Sequence, residues 1–372
     1  MEFGLTEFQQ MIRNSSDEFL NQECPMEFVR AMEEDANGCT DEFWSQIVGQ
    51  GWPGIGIPEE YGGTGGDFLD LGVLIENTGK YLMPGPLFST VVLAGMTILD
   101  AGSDSQKSNW LPSISDGTLL ATMAFAEKSG SYEWSDVETN ATLSEGNYIL
   151  DGTKVFVPYA QTAKLIIIPA RTSEHGITLF AVDSDMDGVD IQSMDLMSSD
   201  KNSSVTLNNV SLEKSRIIGE IDNGEFFYNR AFIRGVIAKC LQMTGSLSSC
   251  LDLTLDYVKQ RSQFGRSVGT FQAIQHHCSN MAIDLEGSRH VAYQAAWALA
   301  NGINSEGFAH MAKAWLNEAT QRISMLAHQS HGAIGFTHDY DLQMHTRWLK
   351  SQELLYGNNH YHKEKYFNIS RG

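Results

Sequence analysis

Residues 257–272, with the sequence YVKQRSQFGRSVGTFQ, contain side chains of the types that hold a dinucleotide. Arg261 carries a permanent charge and can form two parallel hydrogen bonds to a phosphate group. Phe264 offers a flat apolar surface to adenine or ribose, and Gln272 offers both a donor and an acceptor. The same pattern also suits an amphipathic helix whose basic last turn is favoured by the helix dipole. Spacing alone does not decide between a nucleotide site and an ordinary helix end.

Four segments of the chain together resemble the signature motifs of the acyl-CoA dehydrogenase family. They are PEEYGGTGG at 58–66, DGTKVFVPYA at 151–160, RSQFGRSVGTFQ at 261–272 and HQSHGAIGF at 328–336. These motifs occur in the order and at the spacing of that family, so their combination is far more specific than any one of them. The FVP sequence of the second motif further resembles a divergent, steroid-CoA-type branch. Members of that branch often form two-plus-two heterotetramers that carry fewer flavins than subunits.

The resemblance implies FAD as the cofactor and indicates which residues contact it. By this resemblance, Arg261, Phe264 and Gln272 contact an FAD molecule that is bound mainly by a neighbouring subunit. Gln329 and Gly332 correspond to residues that approach the same diphosphate, where a glycine lets backbone N–H groups come close. We therefore expect these cofactor-binding residues at a surface that two subunits share.

The resemblance also places the isoalloxazine ring of FAD against a central β domain. Phe156 stands where the family has an aromatic residue, and its ring can stack on the flavin. Pro158 and Ala126 replace residues that normally hydrogen-bond the flavin, and neither has a side-chain donor. Ala333 stands where the diphosphate segment usually has a second glycine. We therefore expect a reduced set of flavin contacts from this chain's own β domain.

The chain has no acid at either position where the family carries its catalytic base. The family reaction removes an α-proton from an acyl-CoA while a hydride leaves the β-carbon, and this requires a carboxylate near the α-carbon. The C-terminal position corresponds to Gly357, and the alternative position, on the first bundle helix, corresponds to Gly235. Glu353 precedes Gly357 by about one helical turn, so it either points into the same pocket or is a surface charge. The catalytic residues are therefore unknown from the sequence.

Two versions of one function follow from the resemblance. In the first, the chain is the partner subunit of a hetero-oligomer and lends its FAD-contacting residues to a homologous, catalytic acyl-CoA dehydrogenase subunit. In the second, it is a self-sufficient dehydrogenase with a non-standard base. A non-catalytic scaffold and a related flavin chemistry, such as an oxidase reaction, are further alternatives; the retained cluster around Arg261 argues against the scaffold. The resemblance also implies an acyl-CoA substrate and an electron-transferring flavoprotein as the electron acceptor.

The composition is that of an acidic globular protein. The 372 residues include 46 acidic and 25 basic side chains, which give a formal charge of −21, and 42% of the residues are hydrophobic. Such a charge repels phosphate backbones, so nucleic-acid binding is not expected. The first residues resemble no secretory signal, and no apolar stretch reaches the length of a membrane span. Five cysteines without CxxC spacing indicate neither a disulfide framework nor a metal site. We therefore expect a cytoplasmic protein.

The order of hydrophobic patterns predicts an α+β fold in three parts. Residues 1–115 predict a helical N-terminal domain. Residues 116–216, with short runs of β-branched residues between glycine and asparagine clusters, predict a compact antiparallel β domain. Residues 225–372 predict a C-terminal four-helix bundle that carries the FAD-contacting and oligomerisation segments.

Several elements can be predicted individually from the same patterns. In the N-terminal domain, apolar residues at helical spacing predict helices over 67–81 and 87–99. In the bundle, they predict long helices over 271–300 and 308–327. In the β domain, the Asp151-Gly152 pair is the usual dipeptide of a tight turn, so it predicts a hairpin at that point.

Overall fold

A computed structural model of the chain describes residues 4–371, and its N-terminal part is helical. The helices are α1 (Glu7–Glu23), α2 (Met26–Glu34), α3 (Asp41–Gly49), α4 (Phe68–Lys80), a π-helix (Phe88–Gly95), α5 (Met96–Ala101) and α6 (Asp104–Ser115). No helix within residues 4–371 is both long and apolar enough to cross a membrane.

Side-chain caps fix the points at which three of these helices begin. Thr6, Asp67 and Ser103 each accept a hydrogen bond from the backbone N–H three residues later, and the residue there bonds back to the cap. These reciprocal bonds satisfy N–H groups that have no partner inside the helix. Helix α4 therefore starts next to Asp67, as the sequence predicts, and residues 71–79 of it are buried.

The predicted helix over 87–99 contains a change of helix type. Its first part, Phe88–Gly95, is a π-helix with every residue buried, and α5 continues from Met96. Hydrophobic periodicity does not distinguish a π-helix from an α-helix over so short a stretch. Such wide turns are rare and frequently occur at functional sites.

The central part forms one sheet that is mostly antiparallel. Its strands are β1 (Ala121–Met123), β2 (Asn140–Ser144), β3 (Asn147–Pro158), β4 (Leu165–Arg171), β5 (Ile177–Asp183), β6 (Val189–Met194), β7 (Asn202–Leu212) and β8 (Ile217–Ile218). Their spatial order is β6-β7-β3-β2-β4-β5-β8, with β1 beside β4. The difference from the predicted antiparallel domain is that β1 and β2 pair with β4 in parallel orientation.

The predicted hairpin at Asp151-Gly152 is wrong. Both residues lie inside the continuous strand β3, at a point where its register with β7 shifts. A Cβ atom on Gly152 would lie 2.6 Å from Oγ1 of Thr139, so the glycine is required by a β-bulge packed closely against the residue that precedes β2. The actual turn between β2 and β3 is Glu145-Gly146, where both residues have the positive φ of a primed turn.

The C-terminal part is a helical bundle built on one very long helix. Its elements are α7 (Glu225–Gln260), β9 (Ser262–Gln263), β10 (Arg266–Ser267), α8 (Gln272–Ala300), α9 (Glu306–His331), α10 (Leu342–Leu354) and α11 (Asn359–Arg371). Helix α7 packs against α4 of the N-terminal part and against α8 and α9 of the bundle. The predicted long helices correspond to α8 and α9, and the predicted order of helical, β and helical parts is confirmed.

Candidate functional site

A narrow cavity lies where the β domain meets the helices on either side of it. Its walls include Phe156 and Pro158 from β3, Phe88 from the π-helix and Lys239 from α7. Tyr356, in the loop between α10 and α11, also lines it. A cavity between structural parts that combines apolar side chains with several polar groups has the form of a small-molecule site. We therefore take this cavity as the candidate active site.

An irregular stretch of β3 presents Phe156 to the cavity. The register between β3 and β7 shifts between Lys154 and Val157, and Phe156 has a φ of +53°. A positive φ in a bulky residue is unfavourable and is retained only where the surroundings enforce it. Phe156 is also 37% exposed, so the protein leaves much of its ring uncovered. The structure thus places the aromatic residue predicted for flavin stacking at the cavity wall.

A buried ion pair holds β3 to the segment that precedes β2. Nζ of Lys154 donates to Oε1 of Glu127 at 2.6 Å, and both side chains are almost completely buried. The same carboxylate oxygen accepts from the hydroxyl of Thr139 at 2.7 Å and from its N–H at 3.0 Å. Burial alone would raise the pKa of Glu127, but the Lys154 ammonium and these hydrogen bonds lower it below its ordinary value.

Pro158 and Ala126, the two substituted flavin positions, both line the cavity. The carbonyl oxygen of Pro158 accepts from the hydroxyl of Thr122 at 2.7 Å. The carbonyl oxygen of Ala126 accepts from the N–H of Val155 at 2.9 Å. Since neither residue has a side-chain donor and both carbonyl groups already have partners, this wall contacts a ligand mainly through its apolar surface.

The packing around Gly357 leaves no space for the missing C-terminal glutamate. Gly357 has a φ of +99°, a conformation that favours glycine. A Cβ atom there would lie 2.5 Å from Cδ1 of Tyr361 and 2.8 Å from Nε2 of His362. A glutamate at this position would therefore require Tyr361 and His362 to move.

The second base position, Gly235, is different because it lies in the regular part of α7. A Cβ atom there would lie 3.1 Å from Leu93 and 3.4 Å from Cε1 of Tyr356, contacts that small shifts can relieve. Tyr356 itself lines the cavity. The glycine at 235 therefore lies beside the cavity, and a Cβ atom there requires only small shifts of its neighbours.

Glu353 lies neither in the cavity nor on the surface. Its side chain is buried, and its carboxylate accepts from Nε2 of Gln321 at 2.7 Å and from Nζ of Lys350 at 3.0 Å. It is absent from the residues that line the cavity. The two interpretations from the sequence, a residue that points into the pocket and a surface charge, are both wrong. A spacing of one helical turn does not determine which neighbours surround a side chain.

The sequence reasoning missed three charged residues that line the cavity, Lys239, Asp200 and Lys201. Nζ of Lys239 lies 3.8 Å from Oδ2 of Asp200 and 4.3 Å from the ring centre of Phe88. Burial lowers the pKa of Lys239 below its ordinary value, although Asp200 opposes that shift. A usable signal was present in the sequence, since Lys239 follows Gly235 by four residues within a strongly apolar stretch and therefore lies on the same helix face.

Two tyrosines of the cavity, Tyr132 and Tyr356, are poorly suited to replace the missing base. Tyr132 stacks on Tyr356 with ring centres 5.8 Å apart. Burial raises the pKa of Tyr132 to about 12 and that of Tyr356 well above its ordinary value. Both hydroxyl groups therefore remain protonated near neutral pH, and neither can accept the α-proton of a substrate.

The residues predicted to contact a neighbour's FAD form a separate, exposed surface at the end of α7. Arg261 directly follows the helix, and β9 and β10 form a two-residue hairpin whose turn is Phe264-Gly265. Both turn residues have positive φ, which fits a type I′ turn, and Phe264 is 91% exposed. Gln272 begins α8 and is also exposed. Within residues 4–371, no carboxylate lies within ion-pair distance of Arg261.

The structure brings the other segment that is predicted to contact the diphosphate, with Gln329 and Gly332, to the same end of the bundle. Gln329 lies exposed in the last turn of α9. Gly332 follows the helix with a φ of +71°, and a Cβ atom built on it would have no neighbouring atom within 4 Å. The ring of His331 stacks on Tyr257, one turn before Arg261, with centres 4.5 Å apart. Phe156 lies apart from these residues, at the cavity.

Comparison with known proteins extends over nearly the whole chain. The family models for the N-terminal, middle and C-terminal domains of acyl-CoA dehydrogenases match residues 6–118, 122–210 and 228–366. The chain is 30% identical to 3-(aryl)acrylate reductase of Clostridium sporogenes (strain ATCC 15579), over 91% of this chain and 92% of that protein. It is 29% identical to the mitochondrial short/branched chain specific acyl-CoA dehydrogenase of Bos taurus, over 93% of this chain and 81% of that protein.

The fold is likewise similar to a solved structure of the same family. Butyryl-CoA dehydrogenase from Megasphaera elsdenii superposes with a TM-score of 0.93 and 25% identity, covering all of both chains. Domain order, fold and sequence therefore agree. The chain belongs to the acyl-CoA dehydrogenase family and is an oxidoreductase of the class that acts on CH–CH groups.

Proposed function

We propose that this chain is the partner subunit of a hetero-oligomeric, FAD-dependent acyl-CoA dehydrogenase. In this assembly a homologous subunit supplies the catalytic carboxylate, and the reaction is the α,β-dehydrogenation of an acyl-CoA thioester. The present chain contributes flavin contacts and completes the oligomer. Electron-transferring flavoprotein as the acceptor and a cytoplasmic location are part of the same proposal, on the grounds of the family resemblance.

The observation that carries the proposal is the geometry around Gly357. The difference at this position involves more than one residue, because Tyr361 and His362 fill the space that a side chain at 357 would need. The other base position, Gly235, also has no carboxylate. A chain that has lost the base at both positions but keeps the fold has the properties expected of a subunit that supports catalysis elsewhere.

The residues at the end of α7 fit the polar part of FAD. A diphosphate needs cations and N–H donors, and Arg261 offers a guanidinium that no acid pairs with in the described residues. The exposed ring of Phe264 and the amides of Gln272 and Gln329 are compatible with a nucleotide, and Gly332 leaves its backbone accessible. Exposure of so large an aromatic ring is also typical of a surface that another chain covers.

Each group of this chain would then have a defined part in the complex. Bound FAD would supply the acceptor for the hydride of the substrate β-carbon. Arg261 and Gln272 would orient its diphosphate and sugar, and Phe156 would support a flavin ring at the cavity through apolar contact. The buried Glu127–Lys154 pair would fix the position of that wall.

A second candidate function is a self-sufficient dehydrogenase in which Lys239 or Asp200 accepts the α-proton. One observation favours it: both residues line the cavity, and Lys239 lies on the face of α7 that carries Gly235. Burial lowers the pKa of Lys239, so a neutral amine is more accessible than at the surface.

The visible spectrum separates the two functions. The chain is purified alone and together with a co-expressed homologous dehydrogenase chain, and each preparation is titrated with acyl-CoA. Flavin absorbance and acyl-CoA-dependent bleaching only in the co-expressed complex support the partner subunit. Bleaching of the lone chain supports self-sufficient catalysis, and a colourless complex contradicts both functions.

A variant of Arg261 tests the flavin contact in that complex. Arg261→Met removes a charge-assisted bond, so the complex should retain flavin about tenfold more weakly. Lys259→Met is the matched control, because Lys259 is an exposed cation of the same helix end whose nearest acid, Asp256, is 3.9 Å away. Equal flavin retention in both variants would contradict a role for Arg261.

A further inference from the structure

The cavity contains a buried amine that lacks hydrogen bonds. Lys239 is 7% exposed and lines the cavity, and its Nζ makes no hydrogen bond to any residue in the described part of the chain. Its nearest charged neighbour is Oδ2 of Asp200 at 3.8 Å, beyond hydrogen-bonding distance. An ammonium group that faces a cavity without a hydrogen-bond partner from the protein is available to donate to a ligand there.

A second unpartnered group lies on the same face of α7. The side chain of Gln242 lines the cavity, and its Oε1 is buried without a hydrogen bond in the described residues. The hydroxyl of Thr78 donates to the carbonyl of Ile75 at 2.8 Å and accepts from Nε2 of Gln242 at 3.0 Å. Oε1 of Gln242 is therefore left as a free acceptor.

The two groups are three residues apart on one helix, so they are neighbours on its surface. One is a donor without an acceptor, and the other is an acceptor without a donor. The rest of the nearby wall is apolar and includes Leu71, Ile75 and Val92. A plain hydrocarbon chain in this cavity would leave both polar groups unsatisfied.

The charge of the site determines which polar group fits. A second cation of the cavity lining, Lys201, already donates from its Nζ to the carbonyl of Glu33 at 2.7 Å. A carboxylate would accept from Lys239, but it would meet the acid of Asp200, which Nε2 of Gln352 holds in place at 2.7 Å. A hydroxyl group is neutral, accepts a hydrogen bond from Lys239 and donates one to Gln242. We propose that the cavity binds an acyl thioester whose chain carries a hydroxyl group, held between Lys239 and Gln242.

This inference rests on the proposed function for the acyl-CoA class of the ligand, and it adds that an acyl-CoA enters the cavity of this chain. The test is therefore a binding measurement that does not depend on turnover. Isothermal titration of the flavin-loaded complex compares three thioesters of equal chain length: hexanoyl-CoA, hexanoyl-CoA with a hydroxyl group on its last carbon, and adipoyl-CoA. The flavin content of each preparation is measured separately, and it alone decides the partner-subunit function.

The expected result is that the hydroxylated thioester binds about tenfold more tightly than hexanoyl-CoA, with adipoyl-CoA the weakest. Lys239→Met and Gln242→Leu should each abolish that preference while hexanoyl-CoA binds at least as well as before. Lys350→Met is the control, since Lys350 is half exposed and pairs with Glu353 outside the cavity. Equal binding of all three thioesters, tightest binding of adipoyl-CoA or no binding at all would overturn the inference.

Discussion

The ammonium of Lys154 and the carboxylate of Glu127 form an ion pair 2.6 Å long in the interior of the β domain. Glu127 lies next to Ala126, and Lys154 lies two residues before Phe156, so this pair connects the two segments that form the β wall of the cavity. Since neither side chain lines the cavity, the ion pair affects the candidate site by fixing the position of this wall.

We predict that Glu127→Gln destabilises the fold by about 3–5 kcal/mol, because it leaves the Lys154 ammonium buried without a counter-charge. Differential scanning calorimetry should show a lower unfolding midpoint for this variant. Glu138→Gln is the control, because Glu138 is an exposed neighbour whose side chain makes no ion pair within residues 4–371. Equal midpoints for the two variants would show that the pair contributes nothing.

The same pair predicts a loss of stability in acid. The pKa of Glu127 is lower in the folded chain than its unfolded value of about 4.3, so its contribution is fully present above that value. It is lost as the pH falls through the folded pKa, when the carboxyl takes up a proton that the folded state binds poorly. Unfolding midpoints measured from neutral pH down to acid should fall more steeply in the wild type than in Glu127→Gln. Parallel curves would contradict this assignment.

Long, regular patterns were sufficient to predict most of the fold. The helices α8 and α9 each repeat their apolar residues over many turns, so their type and approximate ends follow from periodicity. The domain boundaries at 115/116 and 216/225 stay predictions. The hairpin predicted at Asp151-Gly152 was wrong because a dipeptide does not reveal whether the strand continues through it. Here Gly152 is required by a bulge that packs on Thr139.

The candidate site was only partly predictable, since a cavity depends on residues far apart in the chain. The absence of acids at 235 and 357 can be read directly from the sequence, but the blocking of position 357 by Tyr361 and His362 cannot. Similarly, Lys239 was visible as a cation in an apolar stretch of α7, while its proximity to Asp200 depends on how the β domain packs on the bundle. The FAD-contacting role of the residues near Arg261 stays a prediction.

Restoring a base should succeed at one glycine and fail at the other. A Cβ atom at 235 meets only side-chain atoms, at 3.1 Å and more, in a helix that accepts glutamate well. A Cβ atom at 357 meets Tyr361 at 2.5 Å, and the position requires a positive φ. We therefore expect Gly235→Glu to raise the rate of α-proton exchange in acyl-CoA by about a hundredfold, within the range for a positioned general base.

The measurement for these two glutamate variants is deuterium uptake at the α-carbon of a saturated acyl-CoA, in the lone chain and in a complex whose homologous subunit has lost its own catalytic carboxylate. Gly357→Glu is the matched variant, and it should give no gain and a lower unfolding midpoint. A gain with Gly357→Glu equal to that with Gly235→Glu would show that Tyr361 and His362 do not block the position.

The exposed turn at Phe264-Gly265 allows the flavin contact to be tested without disturbing the fold. Phe264 has a φ of +56° and contacts Phe271 edge-on at 6.1 Å, with 91% of the residue exposed. Asn-Gly is the preferred dipeptide of a type I′ turn, so Phe264→Asn keeps the backbone and removes only the ring. The unfolding free energy of the lone chain should change by less than about 0.5 kcal/mol, as for other surface substitutions.

In the co-expressed complex, by contrast, the same substitution should reduce the flavin retained after gel filtration, because the ring would no longer pack on the nucleotide. The ratio of flavin absorbance to protein absorbance measures this loss. Met325→Asn serves as the control, since Met325 is another exposed apolar residue, 63% accessible, that lies on α9 before its last turn. If Phe264→Asn and the control retain equal flavin, then Phe264 does not contact the cofactor of a neighbouring subunit.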